Sequence, residues 1–546
     1  MSQPTLTTTP SGQPVLILKE GSTETKGREA QRNNISAAVI VAQLVRTSLG
    51  PRGMDKLLVD GIGDVTITND GATILKELDI QHPAGKMMVE VAKSTDTEVG
   101  DGTTSAVVLA GALLEQAQEL IDKNVHPTVI IDGYSRAAEE ADKILKKLAI
   151  NVKPLDKTWL TKVAVTSMQS KLVSEEAEIF AKVILSALEK VAELNEDGTY
   201  TVDLDNVKVD KKPGSSLSET RFIKGIVLDK EVVHPGMPKT VNNAKIALIN
   251  TALEIEKTEI SAEIRITEPL QMKQFLDEEN RILKEIVSSI TSSGANVLLC
   301  QKGIDDVAQH YLAKNGILTV RRVKESDMTK ISKATGSRIV TNIKDLSKSD
   351  LGIASIVEER KIETDKWVFI EGCKNPKAVS ILIRGGSQRV LDEAERSMHD
   401  ALMVVKDVIE YPYIVAGGGS PEAHVSSKIR DWSNTLSGRE QLAAQKFADA
   451  IETIPIALAE NAGMNSIDTQ VNLRAKHSDG RKFHGVDAIR GEISDMSKKN
   501  VYEPLKVKEQ SLKSALEVTN MLLRIDDSIA SGKSAPPPPG PPGGGY

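Results

Sequence analysis

Helical patterning fills both ends of this chain and breaks off in the middle, and that order limits what it can fold into. From Arg28 to Leu49 the run "NNISAAVIVAQLVRTSL" reads as a well-buried helix ended by Gly50-Pro51. Three further helical stretches follow at about 84–95, 104–122 and 127–149, with Pro127 suited to the first turn of the last. Before them, "DKLLVDGIGDVTITNDG" reads as a hairpin in which Val65 and Ile67 alternate with Thr66 and Thr68. From about Gly225 to Gly372 the texture changes. The short β-rich runs "KIALIN", "GANVLLC" and "ILTVRRV" alternate there with helical ones such as "GIDDVAQHYLAKNG", which is α/β patterning. After "AVSILIRGG" long helices resume until about 530. At 546 residues there is room for two to four domains, and this alternation calls for more than one core.

Composition excludes several functions. A net charge of −7 argues against a dominant nucleic-acid surface, and 3% aromatic residues leave little for base stacking. Cys300 and Cys373 form no CxxC pair, which suits a reducing compartment, and the eight histidines show no tight ligand spacing, so no zinc site is expected. The N-terminus lacks the basic and apolar segments of a signal peptide. No apolar run approaches the roughly 18 residues that cross a bilayer. A cytoplasmic protein without a membrane or nucleic-acid partner is expected. Residues 1 to about 25, polar and rich in Thr, Ser and Pro, read as a mobile arm, and the Pro/Gly tail at 534–546 reads as disordered.

Five short stretches share one chemistry: "TSLGPRGMDK" (47–56), "TNDGAT" (68–73), "GDGTT" (100–104), "AGGGS" (416–420) and "ENAGMN" (460–465). Each joins glycine, which lets backbone approach a ligand, to small polar residues, and three border an apolar helix. Unpaired N–H groups at a helix N-terminus suit phosphate. Singly, each also reads as an ordinary turn or helix-entry loop. None matches GxxxxGK[ST], and "SGKS" at 531–534 follows no strand. The telling residue is Asp101, a carboxylate set among phosphate-binding donors. It repels the ligand unless a cation lies between them, and magnesium, which keeps few protein ligands, bridges carboxylate to phosphate oxygens. Asp101 is then a metal ligand, with Thr103, Thr104 and the helix N-terminus holding phosphate oxygens, and the site is a nucleotide site.

In residues 252–290, "LEIEKTEISAEIRI" scatters isoleucines among charges, and Pro269 then opens a run with apolar residues at helical spacing from Met272 to Ile290. This reads either as a surface helix preceded by a loop, or as a protrusion whose apolar residues meet another protein.

The pieces "RTSLGPRGMDKLLVD", "TNDGATILKEL", "HPAGKMMVEVAKSTDTEVGDGTTSAVVLAG", "LIRGGSQRVLDEAERSMHDAL", "VAGGGSPE", "LAENAGMNSID" and "LLRIDD", in this order over about residues 25–530, resemble the chaperonins. The likeness is to the group II branch, and most of all to archaeal thermosome subunits. It implies a multidomain α plus α/β fold. A mainly helical equatorial ATPase domain would combine 1–153 with 408–533, and a small α/β intermediate domain would combine 154–222 with 377–407. The α/β apical domain, 223–376, would carry a helical lid protrusion at about 252–283, which favours the second reading of that segment. The implied function is that of an ATP-dependent molecular chaperone. Identical or homologous subunits would form two stacked rings that enclose unfolded protein clients under this built-in lid.

The resemblance also assigns residues. Ser48, Leu49, Gly50 and Pro51 would line the phosphates of ATP, Asp101 would bind Mg2+, and Gly102, Thr103, Thr104 and Ser105 would hold phosphate oxygens. Asn69 and Gly71, which flank Asp70, would also bind the nucleotide. Gly418 would approach the nucleotide closely, Asn461 and Ala462 would meet the base, and Glu503 would take the ribose hydroxyls. Asp70 and Asp400 would flank the attacking water, with Asp400 as catalytic base or water-orienting group, and Lys171 would sense the γ-phosphate. Read as residues alone, Asp400 and Lys171 are an ordinary helix carboxylate and a surface lysine. Three departures stand out: Asn500 where Gly is usual, Ser170 in place of a glycine beside Lys171, and a tail without Gly/Met repeats. Two other classes compete with this reading: an ATP-dependent kinase or ligase that needs a specific acceptor, and a glycine-rich scaffold that binds no nucleotide.

Overall fold

The computed structural model describes residues 6–8, 14–16, 23–255, 269–374 and 376–530. The fold is multidomain, with three large apolar cores. The first is a helical bundle built from both ends of the chain, and its central rod is the helix Thr103–Asp122. This helix carries Ala, Val and Leu on nearly every face, and a helix apolar all round has to be enclosed. It is packed by Gly27–Arg46, Pro83–Val99, Gly438–Ile451 and Leu505–Leu523. Pro127–Leu148 joins the bundle, with Pro127 in its first turn and the His126 ring accepting the Thr128 N–H at 3.3 Å. Its Tyr134 hydroxyl donates to the Leu113 carbonyl at 3.0 Å inside the core.

The expected hairpin is present as Lys56–Val59 against Val65–Thr68. The expected arm ends sooner than the sequence suggests. Thr23–Lys26 pairs antiparallel with Asp527–Ala530, and this backbone pairing ties N- and C-terminal segments together. The tail at 534–546 lies outside the described residues.

The second core surrounds a seven-stranded mixed sheet from the middle of the chain. Thr240–Ile249 lies at its centre, parallel to Val297–Cys300 and antiparallel to Gly352–Ile362. Val297–Cys300 continues in parallel to Leu318–Val320. The parallel strands are connected through the helices Pro269–Ser293, Asp306–Lys314 and Glu325–Thr335. Both faces are therefore covered, and "VLLC" and "LTV" are wholly buried runs without alternation.

Pro269–Ser293 is helical, as the apolar spacing from Met272 to Ile290 indicates. Its second half is anchored by buried Leu283, Val287 and Ile290, whereas Met272, Phe275 and Leu276 are exposed. Leu253 is buried and bridges to Ile304, so both Leu253 and Leu283, at the margins of the expected protrusion, belong to the core. Residues 256–268 lie outside the described residues.

The third core joins these two. The helices Lys157–Met168, Ala177–Val191 and Gln388–Glu410 pack on a small sheet in which Val379–Gly385 lies between Val207–Pro213 and Arg221–Ile223. Near its end the Gln388–Glu410 helix crosses onto the bundle. There Asp407, fully buried, pairs with Lys506 at 2.7 Å. Burial pushes the Asp407 carboxyl up to about 6, although Lys506 opposes this.

A raised carboxyl has a definite sign. Between about pH 4 and pH 6 the folded chain keeps a proton that the unfolded chain has lost. Asp407 thus contributes stability that is full at low pH and disappears as pH rises through about 6, a difference on the order of 3 kcal/mol. Thermal unfolding followed from pH 4 to pH 7 is expected to show this decline in the wild type and not in Asp407→Asn. An identical slope in both would remove Asp407 as its source.

Candidate active site

A cleft opens between the bundle and the joining unit, and segments from both ends of the chain line it. A three-stranded sheet brings them together. Tyr413–Ala416 lies antiparallel to both Tyr502–Pro504 and Ile150–Asn151, with Val415 opposite Glu503 and Tyr413 opposite Asn151.

One wall is the "GDGTT" turn. Gly100 and Gly102 both have left-handed backbones, at φ +66° and +76°, and Gly102 caps the helix Thr103–Asp122. A Cβ on Gly102 would come within 2.7 Å of Val507, so neither the conformation nor the space admits a side chain. The turn aims the helix N-terminus at the cleft and leaves half-buried Asp101 beside it, accepting the Gly102 N–H at 2.6 Å. Thr103, Thr104 and Ser105 follow along the same wall.

Asp70 caps the neighbouring helix Gly71–Glu77. One carboxylate oxygen accepts the Thr73 N–H at 2.8 Å, and the other faces the Thr103 hydroxyl at 3.3 Å. Gly71 is buried behind this wall, because a Cβ there would meet the Thr104 hydroxyl at 2.5 Å. The Asn69 amide donates to the Ser170 carbonyl and so ties this loop to the one carrying Lys171.

Lys171 lines the cleft with its ammonium paired to Asp400, and both side chains are over nine-tenths buried. Burial pushes the Asp400 carboxyl well above the ordinary range, Lys171 pulls it back, and Asp70 and Asp101 push it up again. Burial acts against the Lys171 ammonium, but Asp400, Asp101 and Asp70 together outweigh it and keep the lysine protonated far above neutrality. Asp96, half-buried nearby, is raised by burial and by Asp70. This end of the cleft therefore holds more carboxylates than cations.

On the other side, Ser48 to Pro51, Gly418 and Glu503 line the cleft. The Ser48 hydroxyl is engaged by the Val45 carbonyl at 2.8 Å, so this segment offers its backbone to a ligand. Of the residues singled out in the sequence, Gly71, Asp400, Asn461 and Ala462 do not line the cleft. Asp400 stands behind Lys171. Asn461, expected at the base, donates its amide to the carbonyls of Arg46 and Leu49 at 3.0 and 2.9 Å and braces the Ser48–Pro51 turn from behind. Ala462 packs beside Leu49 on a small apolar cluster. Asn500, standing where glycine is usual, has φ +60°, a left-handed conformation that asparagine tolerates.

Sequence reasoning passed over Thr166, the Asp487–Ile489 corner and Lys508, all of which line the cleft. Thr166 lies five residues before Lys171, and its hydroxyl accepts the Tyr502 N–H at 3.2 Å. The 487–489 corner is drawn in by the Val486 N–H donating to the Gly418 carbonyl at 2.8 Å. Among the described residues no helix is long and apolar enough to cross a membrane.

The sequence model of the TCP-1/cpn60 chaperonin family matches residues 41–533. The chain is 55% identical to a thermosome subunit of Pyrococcus horikoshii over 535 residues, covering 98% of this chain and 97% of that one. It is 56% identical to a thermosome subunit alpha of Archaeoglobus fulgidus over 520 residues, and 54% identical to one of Sulfolobus acidocaldarius over 528, each covering 95% of both chains. With its Gly-rich cleft and such likeness along nearly its whole length, the chain belongs to the TCP-1/cpn60 chaperonin family, whose thermosome members are ATP-dependent chaperones that assemble into double rings.

Proposed function

We propose that the cleft hydrolyses magnesium-bound ATP and that this reaction drives a subunit of a two-ring chaperonin to close over an unfolded protein client. The observation that carries the proposal is the meeting of Gly-rich segments from both chain ends in one cleft, with the buried Lys171–Asp400 pair at its side.

Among the described residues no group of three or more His, Cys, Asp or Glu could hold a metal by itself. Magnesium needs no such cage, and the excess of carboxylates over Lys171 suits a cation that arrives with the phosphates. Asp101 would hold it, and bound magnesium supplies charge neutralisation to the phosphates. The Thr103–Ser105 N-terminus and the Ser48–Pro51 backbone bind the phosphate oxygens, and Glu503 accepts the ribose hydroxyls. The γ-phosphate competes with Asp400 for the Lys171 ammonium. Asp400, freed on one side, orients a water with Asp70 and takes its proton as the water attacks phosphorus and the bond to the bridging oxygen breaks. A carboxyl raised by burial is a better base near neutral pH than an ordinary one.

Asp400 belongs to the joining unit and the phosphate wall to the bundle, so hydrolysis and hinge closure favour each other. We assign the bundle (1–153 and 408–533) as equatorial, the joining unit (154–222 and 377–407) as intermediate and the central sheet unit (223–376) as apical, with a lid within 252–283. Buried, unpaired Cys300 and Cys373 fit a cytoplasmic setting.

Electron micrographs of the purified protein with an ATPase assay test the whole: two stacked rings that hydrolyse ATP without a small-molecule acceptor are expected. A monomer, or turnover only with an acceptor, overturns it. The lid has its own test. Because Leu253 and Leu283 are core residues, the replacement should be confined to 256–281. A short Gly/Ser linker there is expected to leave ATP turnover running while an added protease reaches the client. A client that stays protected removes the lid from this segment.

A further inference from the structure

Lys508 is a buried ammonium that no step above uses. It stands in the first turn of Leu505–Leu523 and lines the cleft, and its side chain is 10% exposed. It pairs with Glu503 and, at 3.0 Å, with Glu422. The three residues come from three elements: Glu503 from the strand Tyr502–Pro504, Glu422 from the first turn of the helix Ser420–Ser433, and Lys508 from the helix that follows Glu503.

Glu503 is gripped from a second side as well, since a Cβ on Gly417 would lie 2.6 Å from its Oε1. Without a cation beside it, this partly buried carboxylate would take up a proton or swing toward water. Burial raises the Glu503 carboxyl, and the paired Lys508 ammonium opposes this, favouring the charged form and aiming it between Gly417 and the cleft. An ionised carboxylate only accepts hydrogen bonds and repels phosphate. The part of a nucleotide that suits it is therefore neutral and donates hydroxyl protons, and two adjacent hydroxyls match its two oxygens.

We propose that Lys508 is the positioning residue that holds the Glu503 carboxylate as a hydroxyl acceptor, and that it thereby sets a preference for nucleotides whose ribose carries both the 2′- and 3′-hydroxyls. Glu422 braces Lys508 from the far side and links this grip to the helix that begins at the Gly418–Gly419 loop. The proposal rests on the reading of the cleft as the ATP site.

The test compares steady-state hydrolysis of ATP and 2′-deoxyATP by the assembled full chain, with thermal unfolding measured alongside. The wild type is expected to show a KM for 2′-deoxyATP about tenfold or more above that for ATP, since a hydrogen bond to a charged group is lost. In Lys508→Met the KM for ATP should rise toward that value and the ratio should fall toward one, with KM rising by a larger factor than kcat falls. Lys508→Arg should keep most of the ratio. A purely structural lysine would instead lower the unfolding temperature and shift both KM values by one factor, leaving the ratio intact, and that result overturns the proposal. Glu422→Gln still offers an oxygen to the Lys508 ammonium, so the brace and the contact to Glu503 persist and the wild-type ratio should stay even where Lys508→Met does not assemble; a collapsed ratio there would trace the preference to the Glu422 charge and overturn the proposal. Glu503→Gln separates the two readings. If it leaves the ratio untouched, Glu503 does not meet the ribose and the placement of the nucleotide fails. If it erases the ratio while Lys508→Met keeps it, only the role of Lys508 fails.

Discussion

Asp400→Ala is expected to lower ATP turnover about a hundredfold or more while leaving ATP binding intact, because a positioned general base contributes on that order. The side chain is buried, does not line the cleft and is held by Lys171, so a bound nucleotide does not depend on it for affinity. Its removal also frees the Lys171 ammonium for the γ-phosphate, and the dissociation constant for ATP should stay level or fall. Lys171 keeps Asp70 and Asp101 as compensating charges, which limits the loss of stability. Asp400→Asn, closer in shape, should be as slow, since an amide cannot take the proton. Single-turnover hydrolysis and equilibrium binding of a labelled ATP separate the two effects. Normal turnover in either variant would place the base elsewhere. Loss of binding together with turnover would make Asp400 a structural support of the cleft.

The elements of this fold were legible where local chemistry decides them. Pro127 starts a helix, Gly50 follows one, and "VTIT" pairs as a strand, all from signals a few residues long. Four of the five Gly-rich stretches were legible as cleft-lining loops for the same reason; the fifth, "ENAGMN", braces the Ser48–Pro51 turn from behind. Their meeting was not, because it depends on strand pairings between residues such as Tyr413 and Asn151, far apart in the chain. Nor does "HDAL" show that Asp400 is buried and Lys-paired, since every helix surface carries such carboxylates. The family resemblance supplied Asp400 and Lys171, which residue types alone did not. Asn461 marks the limit of carrying roles over: its motif placed it at the site, but only the coordinates show its amide spent on two backbone carbonyls. Lys508 was missed because "LKVKEQ" reads as an exposed amphipathic turn, and its burial comes from the Glu422 and Glu503 side chains that converge on it.

Asp101→Ala carries a second large effect, and its sign depends on the divalent ion. With magnesium present, removing the carboxylate that would hold the ion is expected to weaken ATP binding about tenfold or more and to reduce hydrolysis at least as much. With magnesium chelated the same substitution should strengthen ATP binding. The carboxylate then faces the phosphates directly, in a cleft that Asp70 also lines and where the Lys171 ammonium is already paired with Asp400 behind it, and like charges a few ångströms apart repel by on the order of 1 kcal/mol. Asp101→Asn keeps the shape of the turn and should show both shifts. It also controls for the loss of the short contact to the Gly102 N–H. Titration of labelled ATP into wild type and both variants, with and without chelator, distinguishes the possibilities. A carboxylate that merely braces the turn predicts weaker binding in both conditions. One that points at solvent predicts no change in either. Only a carboxylate that meets phosphate through a cation makes the two conditions move in opposite directions.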